Sequence, residues 1–186
     1  MKKITIIFFL VIAMALAAIP VNAALTSTVQ TSVSTIHTSA IGLSTVEDRA
    51  SFTINKSFGN GSGTTQVADL VYHASRSLTS GQSENLDFYG TLEDAFGNTL
   101  NFARIKAITI ENTSTSMTIT IGSDTTALPI FSPAGGGVTV PPGGAITLIA
   151  PLSGWAVTDT SADLLTIANS AGSTTVYKIL VLGTSY

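Results

Sequence analysis

The chain has no cysteine and little charge. Without cysteine it can form no disulfide, thiol nucleophile, zinc ribbon, iron–sulfur cluster or lipid-modified cysteine. Charged residues make up 10% of the chain, against roughly 25% in average globular proteins. Hydroxyl and amide side chains must therefore keep the surface soluble, which is common in exported proteins whose copies pack side by side.

The N-terminus has the pattern of a secretory signal peptide. Lys2 and Lys3 precede an apolar run of 14 residues, 6–19, and small residues precede Ala24. The run is shorter than the roughly 20 residues that span a bilayer, and Pro20 follows it. We predict export with cleavage after Ala23, and no membrane association after cleavage. An uncleaved anchor at residues 1–23 is the alternative.

The remaining residues, 24–186, carry six basic and 11 acidic residues, a formal charge of −5. This sign, without any basic cluster, argues against a nucleic-acid partner.

Residues 24–63 are predicted to form a Ser/Thr-rich arm that ends in a glycine-rich hinge at 59–63. Leu25, Val29, Val33 and Ile36 have helical spacing, but the residue types favour strands. We expect the arm to become ordered against its own domain or against a neighbouring subunit.

Residues 64–186 are predicted to form one all-β domain. Short alternating segments separated by Gly, Pro, Asn and Ser indicate an antiparallel β-sandwich with jelly-roll or Greek-key connections. The longest strand is expected at 100–111, with Arg104 and Lys106 on the same face as Leu100, Phe102, Ile108 and Ile110. A further strand is expected at 127–131. The predicted core includes Phe102, Ile108, Ile110, Ile119, Leu148, Trp155, Leu164, Ile167, Ile179 and Val181.

The polar residues form no recognisable catalytic or metal-binding set. The two histidines, His37 and His73, are far apart in sequence, and His73 alternates with apolar and hydroxyl residues on a predicted strand. The adjacent acidic residues at 47–48 and 93–94 do not form an opposed carboxylate pair, because neighbours on a strand point to opposite faces. Asp159 and Asp163 could contact Ca²⁺ in a loop, but the loop lacks five or six oxygen ligands. We therefore predict no enzyme activity and no cofactor.

Trp155 is the only tryptophan. An exposed Trp155 beside Tyr89 or Tyr186 would offer a flat platform for a sugar ring. The alternative is that Trp155 belongs to the core. The glycine-rich stretches at 135–137 and 143–144 lack the lysine and the helix of a phosphate-binding loop and are interpreted as turns.

Framework segments that carry a family resemblance are spread over about two-thirds of the chain: 68–78 (ADLVYHASRSL), 84–88 (ENLDF), 94–97 (DAFG), 102–106 (FARIK), 140–144 (VPPGG), 151–157 (PLSGWAV), 163–169 (DLLTIAN) and 177–183 (YKILVLG). In these segments the chain resembles a group of small tailed-phage virion structural proteins. The resemblance implies a jelly-roll-like β-sandwich and a non-enzymatic subunit on the capsid surface or associated with the tail.

The expected function is therefore structural, through packing with copies of itself or with other structural subunits. A secreted carbohydrate-binding or adhesive cell-surface module is the alternative, with a glycan as its partner. A filament subunit, in which residues 29–36 donate a strand to a neighbour, is a further alternative.

Overall fold

The computed structural model describes residues 24–122, 128–131 and 136–185. The predicted signal peptide and Tyr186 lie outside the described residues. The described chain consists of β-strands and one short 3-10 turn, Pro129–Phe131. The strands are β1 (Ser27–Ile41), β2 (Ser44–Asn60), β3 (Val67–Ala68), β4 (Leu70–Leu78), β5 (Ser83–Asp87), β6 (Tyr89–Glu93), β7 (Thr99–Asn101), β8 (Arg104–Asn112), β9 (Ile119–Gly122), β10 (Gly137–Val140), β11 (Ala145–Ile149), β12 (Trp155–Ala156), β13 (Leu164–Asn169) and β14 (Thr175–Thr184).

Eight of these strands form a jelly roll. One sheet has the order β4-β14-β8-β11, the other has the order β5-β13-β9-β10, and all pairs within them are antiparallel. Among the eight, the first strand pairs with the last, the second with the seventh, the third with the sixth and the fourth with the fifth. This nesting is what results when a long antiparallel hairpin rolls into two sheets. The predicted all-β sandwich is confirmed, in its jelly-roll form.

The core lies between the two sheets, because alternate residues of each strand point inward. Phe88 packs there edge to face against two other rings, with ring centroids 6.4 Å apart for Tyr72 and Phe88 and 5.6 Å apart for Phe88 and Phe102. Of the predicted core, seven residues are buried, and Leu148 and Trp155 pack against the core while partly exposed. Leu164 was assigned wrongly: on β13 the inward positions are Leu165 and Ile167, so Leu164 points away.

The predicted strand at 100–111 is wrong as one element. The chain breaks at Phe102 and Ala103, so that β7 pairs with β6 as a separate hairpin and β8 joins the sandwich. Phe102 instead turns into the core, where its N–H donates to Phe88 O at 3.0 Å. The predicted strand at 127–131 is also wrong for its described part, which is the 3-10 turn.

A β-bulge at Lys106 shifts the register of β8. Leu182 pairs with Ala107 and the next residue, Gly183, pairs with Ile105, so Lys106 has no partner on β14. The expected shared face for Lys106 and Ile108 is therefore wrong, because one extra residue reverses the alternation. Gly183 is required at this bulge, since an added Cβ would overlap Arg104 O and the Phe102 ring.

Candidate interaction surface

The N-terminal arm is a long antiparallel hairpin. β1 and β2 pair in unbroken register from Ser27 opposite Phe58 to Ile41 opposite Ser44. Gly42, with a φ of +61°, and Leu43 form the two-residue turn, and glycine fits the first position of such a turn because its φ is positive. All residues from 30 to 53 are exposed, so roughly 35 Å of hairpin lies beyond the packed base at 3.3 Å per residue.

One face of the hairpin, called the apolar face below, carries most of the hairpin's large apolar side chains together with polar ones. Residues directly opposite each other in an antiparallel pair share a face, and Val33 lies opposite Phe52. The register places on this same face Val29, Val33, Ile41, Val46, Ala50, Phe52, Ile54 and Phe58. Polar residues interrupt this row, with His37 opposite Asp48 near its middle; the others are Ser27, Thr31, Thr35, Ser39, Ser44 and Lys56.

The opposite face is mainly polar. Thr28 and Ser57 hydroxyls lie 3.3 Å apart, and Ser32 and Thr53 hydroxyls lie 3.1 Å apart. Arg49 Nη2 pairs with Glu47 Oε2 at 2.6 Å, although both side chains are largely exposed. The arm is therefore amphipathic, as expected for a sheet with one buried side, yet most of its apolar side faces solvent.

The strand structure explains the ambiguous spacing of the arm. Leu25, Val29 and Val33 are four residues apart, which places them on one face of a strand as well as on one face of a helix. Ile36 lies an odd number of residues away and falls on the polar face, where it is 57% exposed. β1 is already paired with β2 along its whole length, so donating residues 29–36 to a neighbour would require one free edge of the hairpin or the loss of this pairing.

The base of the arm packs on the outer face of the β4-β14-β8-β11 sheet. Phe58 is 1% exposed and lies in a small cluster with Ala68, Ala107 and Leu182, flanked by Leu25, Val29, Val71 and Ile149. The predicted hinge segment is hydrogen-bonded here: Gly59 N donates to Gln66 O, and Gly61 N donates to Ala68 O, each at 3.2 Å. The arm is thus attached to the sandwich by a hydrophobic anchor and a short parallel pairing of β2 with β3.

A cleft of about 790 Å³ opens where the arm leaves the sandwich. Ile54, Asn55 and Lys56 line it on the arm side, and Thr147 and Pro151 line it on the sandwich side. Beyond this cleft the apolar face of the hairpin has no cover within the described chain.

The outer sheet face becomes more polar with distance from the arm base. The row beneath the base is apolar, with Val71, Leu182, Ala107 and Ile149. The next row is His73, Leu180, Thr109 and Thr147, and the row after it is Ser75, Lys178, Glu111 and Ala145. Lys178 and Glu111 form an exposed ion pair at 3.4 Å.

The structure separates the two histidines. His37 lies on the arm opposite Asp48, and His73 lies exposed on β4 opposite Leu180. Among the described residues no group of three or more His, Asp or Glu side chains is close enough to hold a metal ion.

The acidic residues singled out from the sequence lie in turns or on the arm, except Glu93, which is the last residue of β6. Asp94 closes the β6–β7 turn by accepting hydrogen bonds from Phe96 N and Asn98 N, both at 2.8 Å. Hydrogen bonds from Asn98 hold the pKa of Asp94 below its usual value. Asp163 Oδ2 accepts a hydrogen bond from Thr160 N at 3.1 Å, within the turn that also contains the exposed Asp159.

Trp155 is half-buried at the start of the short strand β12. It pairs with Ile105 and packs against the main core, while Tyr89 is 42% exposed at the start of β6. The core interpretation accounts for part of the Trp155 surface, and the proposed glycan contact stays a prediction.

Lys106 and Tyr177 are two of the buried groups whose polar contacts were not foreseen from the sequence. Lys106 is fully buried, and its ammonium donates to Leu152 O and, at 3.2 Å, to Thr65 O. Burial, with a smaller contribution from Arg104, lowers the pKa of Lys106. Alternation alone placed Lys106 on the same face as Ile108, and only the bulge turns its side chain away from that core face, toward Thr65 and Leu152.

The second buried group joins the two sheets. Tyr177 on β14 donates to Glu84 Oε1 at 2.8 Å, and Arg76 Nε on β4 donates to Glu84 Oε2 at 2.7 Å. Burial, reinforced by the hydrogen bond to Glu84, raises the pKa of Tyr177. Because Glu84 lies on β5 of the other sheet, these bonds fix the two sheets relative to each other.

The described part of the chain contains no helix of the length and apolarity needed to cross a membrane. No protein-family model matches the chain, and no curated protein is similar enough to count as a match.

Proposed function

We propose that this chain is a non-enzymatic structural subunit that works by packing against other subunits through its N-terminal arm. The observation that carries the proposal is the exposed apolar face of the hairpin. Val33, Ile41, Val46 and Phe52 are 55%, 61%, 51% and 66% exposed on this one face.

This surface is costly for a protein that acts alone. The four side chains leave on the order of 400 Å² of apolar area in contact with water, divided by His37 and Asp48 into a Val33–Phe52 part and an Ile41–Val46 part. Six of the 12 exposed large hydrophobic residues of the described chain lie between residues 33 and 52. Single exposed hydrophobic residues are ordinary on a protein surface, but their concentration on one protruding element indicates a surface for contact with another molecule.

The jelly roll and the sequence resemblance support the same class of function. Jelly rolls are common in viral capsid domains, and also in lectins. A capsid-surface or tail-associated role in a virion is the setting that the resemblance implies, and an exported adhesive or filament subunit is the alternative setting. Both settings use the arm in the same way.

Sedimentation velocity over a concentration series tests the proposal. The unaltered chain should form oligomers as concentration rises, and the double variant Val33→Ser with Phe52→Ser should remain monomeric. The matched control is Ser34→Ala with Ser51→Ala, which changes the paired residues on the opposite face and should assemble normally. An unaltered chain that stays monomeric at the highest soluble concentration would contradict the proposal.

The setting is tested separately by locating the chain in the producing culture. Immunodetection in purified particles would support the virion role. Detection only in the cell envelope or the medium would support the exported alternative.

A further inference from the structure

Three connections between the two sheets meet at one end of the sandwich. They join β4 to β5 (79–82), β8 to β9 (113–118) and β13 to β14 (170–174). Ser170 lies where they meet: its N–H donates to Thr118 O at 3.0 Å, and its carbonyl accepts a hydrogen bond from Gly81 N at 3.2 Å. These bonds fix only the first residue of the 170–174 connection, so the rest of it depends on other contacts.

The thioether of Met117 lies against the 170–174 connection. Its Sδ accepts a hydrogen bond from Ser173 N at 3.1 Å and lies 3.9 Å from Ser170 Oγ. An added Cβ on Gly172 would lie 2.9 Å from Sδ, so glycine lets the sulfur rest directly on the backbone. A weak acceptor, the thioether sulfur, thus satisfies a turn amide.

The backbone of Met117 is fixed on its other side. Its N–H donates to Ser114 Oγ at 2.8 Å, and its carbonyl accepts a hydrogen bond from Nδ2 of the buried Asn112 at 2.7 Å. Methionine has three rotatable bonds and is usually adaptable, but these bonds and the contact with Gly172 hold the sulfur in one place. The residue is also partly exposed, which gives a small oxidant access to it.

We propose that Met117 is a site of oxidation by hydroperoxides and that its sulfoxide releases the 170–174 connection. Met117 is the only sulfur-containing residue among residues 24–186, so no thiol in this range competes for the oxidant. With hydrogen peroxide, a sulfur lone pair attacks one oxygen, the S–O bond forms and the O–O bond breaks. Sulfur loses two electrons, and the other oxygen takes the proton of the transferred one and leaves as water.

Oxidation removes the acceptor of the Ser173 N–H. The sulfur of a sulfoxide carries partial positive charge, and its oxygen becomes the acceptor instead. That oxygen cannot enter the 3.1 Å between Sδ and Ser173 N, because hydrogen-bonded nitrogen and oxygen alone lie about 2.9 Å apart. The new oxygen must therefore point away from Ser173, and the turn amide loses its partner.

The same contact determines which side of the sulfur reacts. A thioether has two lone pairs, and oxidation at one or the other gives the two epimers of methionine sulfoxide. In the folded chain the Ser173 N–H covers one lone pair, so the oxygen adds to the other. The folded chain should therefore give one epimer, whereas the unfolded chain should give both.

The full chain would be treated with hydrogen peroxide, folded and in urea, and oxidised Met117 would be located by peptide mass mapping. Two methionine sulfoxide reductases, each acting on one epimer, would measure the epimer ratio. Hydrogen exchange followed by NMR would report on the Ser173 amide. The control chain carries Met117→Leu and Leu180→Met, which moves the sulfur to the outer face of β14, where Leu180 is 41% exposed.

We expect at least about a fivefold excess of one epimer in the folded chain and equal amounts in urea. Exchange of the Ser173 amide should accelerate at least about threefold on oxidation, the effect of losing a weak hydrogen bond, and should slow again after enzymatic reduction. The folded control chain should give both epimers, with Ser173 exchange that peroxide does not change.

Three results would overturn the inference. The first is an equal mixture of epimers from the folded chain. The second is Ser173 exchange that oxidation of Met117 does not change. The third is a folded chain that resists peroxide at a concentration that oxidises the control chain.

Discussion

Phe58 and Phe52 provide a matched pair of substitutions on one strand. Both lie on the apolar face of β2, but Phe58 is 1% exposed against the sandwich and Phe52 is 66% exposed. Replacing each by alanine removes the same atoms from two different environments. We expect Phe58→Ala to lower stability and Phe52→Ala to lower assembly.

The magnitude follows from the area that each ring buries. A buried phenylalanine removes about 150–250 Å² from water, worth about 4–6 kcal/mol at 25 cal/mol per Å². Substitutions of this kind cost about 3–5 kcal/mol in cores, and a small cluster near the surface can partly collapse, so we expect about 3 kcal/mol for Phe58→Ala. For Phe52→Ala we expect less than about 1 kcal/mol, because only a cross-strand contact with Val33 is lost.

Urea unfolding of the dilute chain, followed by far-UV circular dichroism, measures both values. The melting temperature of Phe58→Ala should fall by roughly 6–12 °C, from about 2–4 °C per kcal/mol for a chain of this size. Amide exchange should show faster opening of the arm in Phe58→Ala than in the unaltered chain. Equal losses in the two variants, or a loss below about 1 kcal/mol for Phe58→Ala, would refute the assignment of Phe58 as the anchor of the arm.

Three further substitutions test the interior of the fold. Gly183→Ala should lower the free energy of unfolding by at least about 1–3 kcal/mol in urea, because the new methyl group has no space. The control is Gly59→Ala, whose added Cβ would lie 3.9 Å from its nearest neighbour and which should lower the free energy of unfolding far less. Burial lowers the pKa of Lys106 in the folded chain below 10.5, so the unfolded chain binds more protons at this residue. The stability of the unaltered chain relative to Lys106→Met should therefore rise with pH up to about 10.5. A stability difference that does not change with pH would contradict this. Tyr177→Phe removes the hydrogen bond to Glu84 and should lower the free energy of unfolding by about 1–3 kcal/mol at neutral pH. The pKa of Tyr177 in the folded chain is raised above 10.0, so the stability of the unaltered chain should fall above pH 10 as the unfolded chain loses this proton. The Tyr177→Phe chain should not show that fall. An unchanged alkaline profile in Tyr177→Phe would refute the latter assignment.

The arm shows which features a local sequence pattern can predict and which it cannot. Its Ser/Thr-rich composition marked residues 24–63 as distinct from the rest, and its residue types favoured strands. The spacing of Leu25, Val29 and Val33 fits a strand and a helix alike, so it could not decide between them. The hairpin partner was equally hard to predict, because Asp48 and Lys56 interrupt the alternation of Val46, Ala50, Phe52, Ile54 and Phe58 on β2.

The buried contacts of Lys106 and of Tyr177 could not be predicted from the sequence for a different reason. Lys106 was assigned to a face by counting from Leu100, and one extra residue at the bulge makes such a count fail. Glu84, Arg76 and Tyr177 are distant in sequence, and nothing local indicates that they meet. Trp155 was named both as a core residue and as a glycan contact, and its half-buried position is compatible with either use.

The sequence by itself determined that the domain is all-β and sandwich-like, because period-two alternation and turn residues are local properties that each segment carries alone. The tertiary structure decided the jelly-roll order, the bulge at Lys106 and the division of the arm into a covered base and an exposed end. These depend on which strands become neighbours, and that choice is made by contacts between residues far apart in the chain. The end of the arm is exposed because the sandwich does not extend beneath it. No single segment of the sequence contains that information.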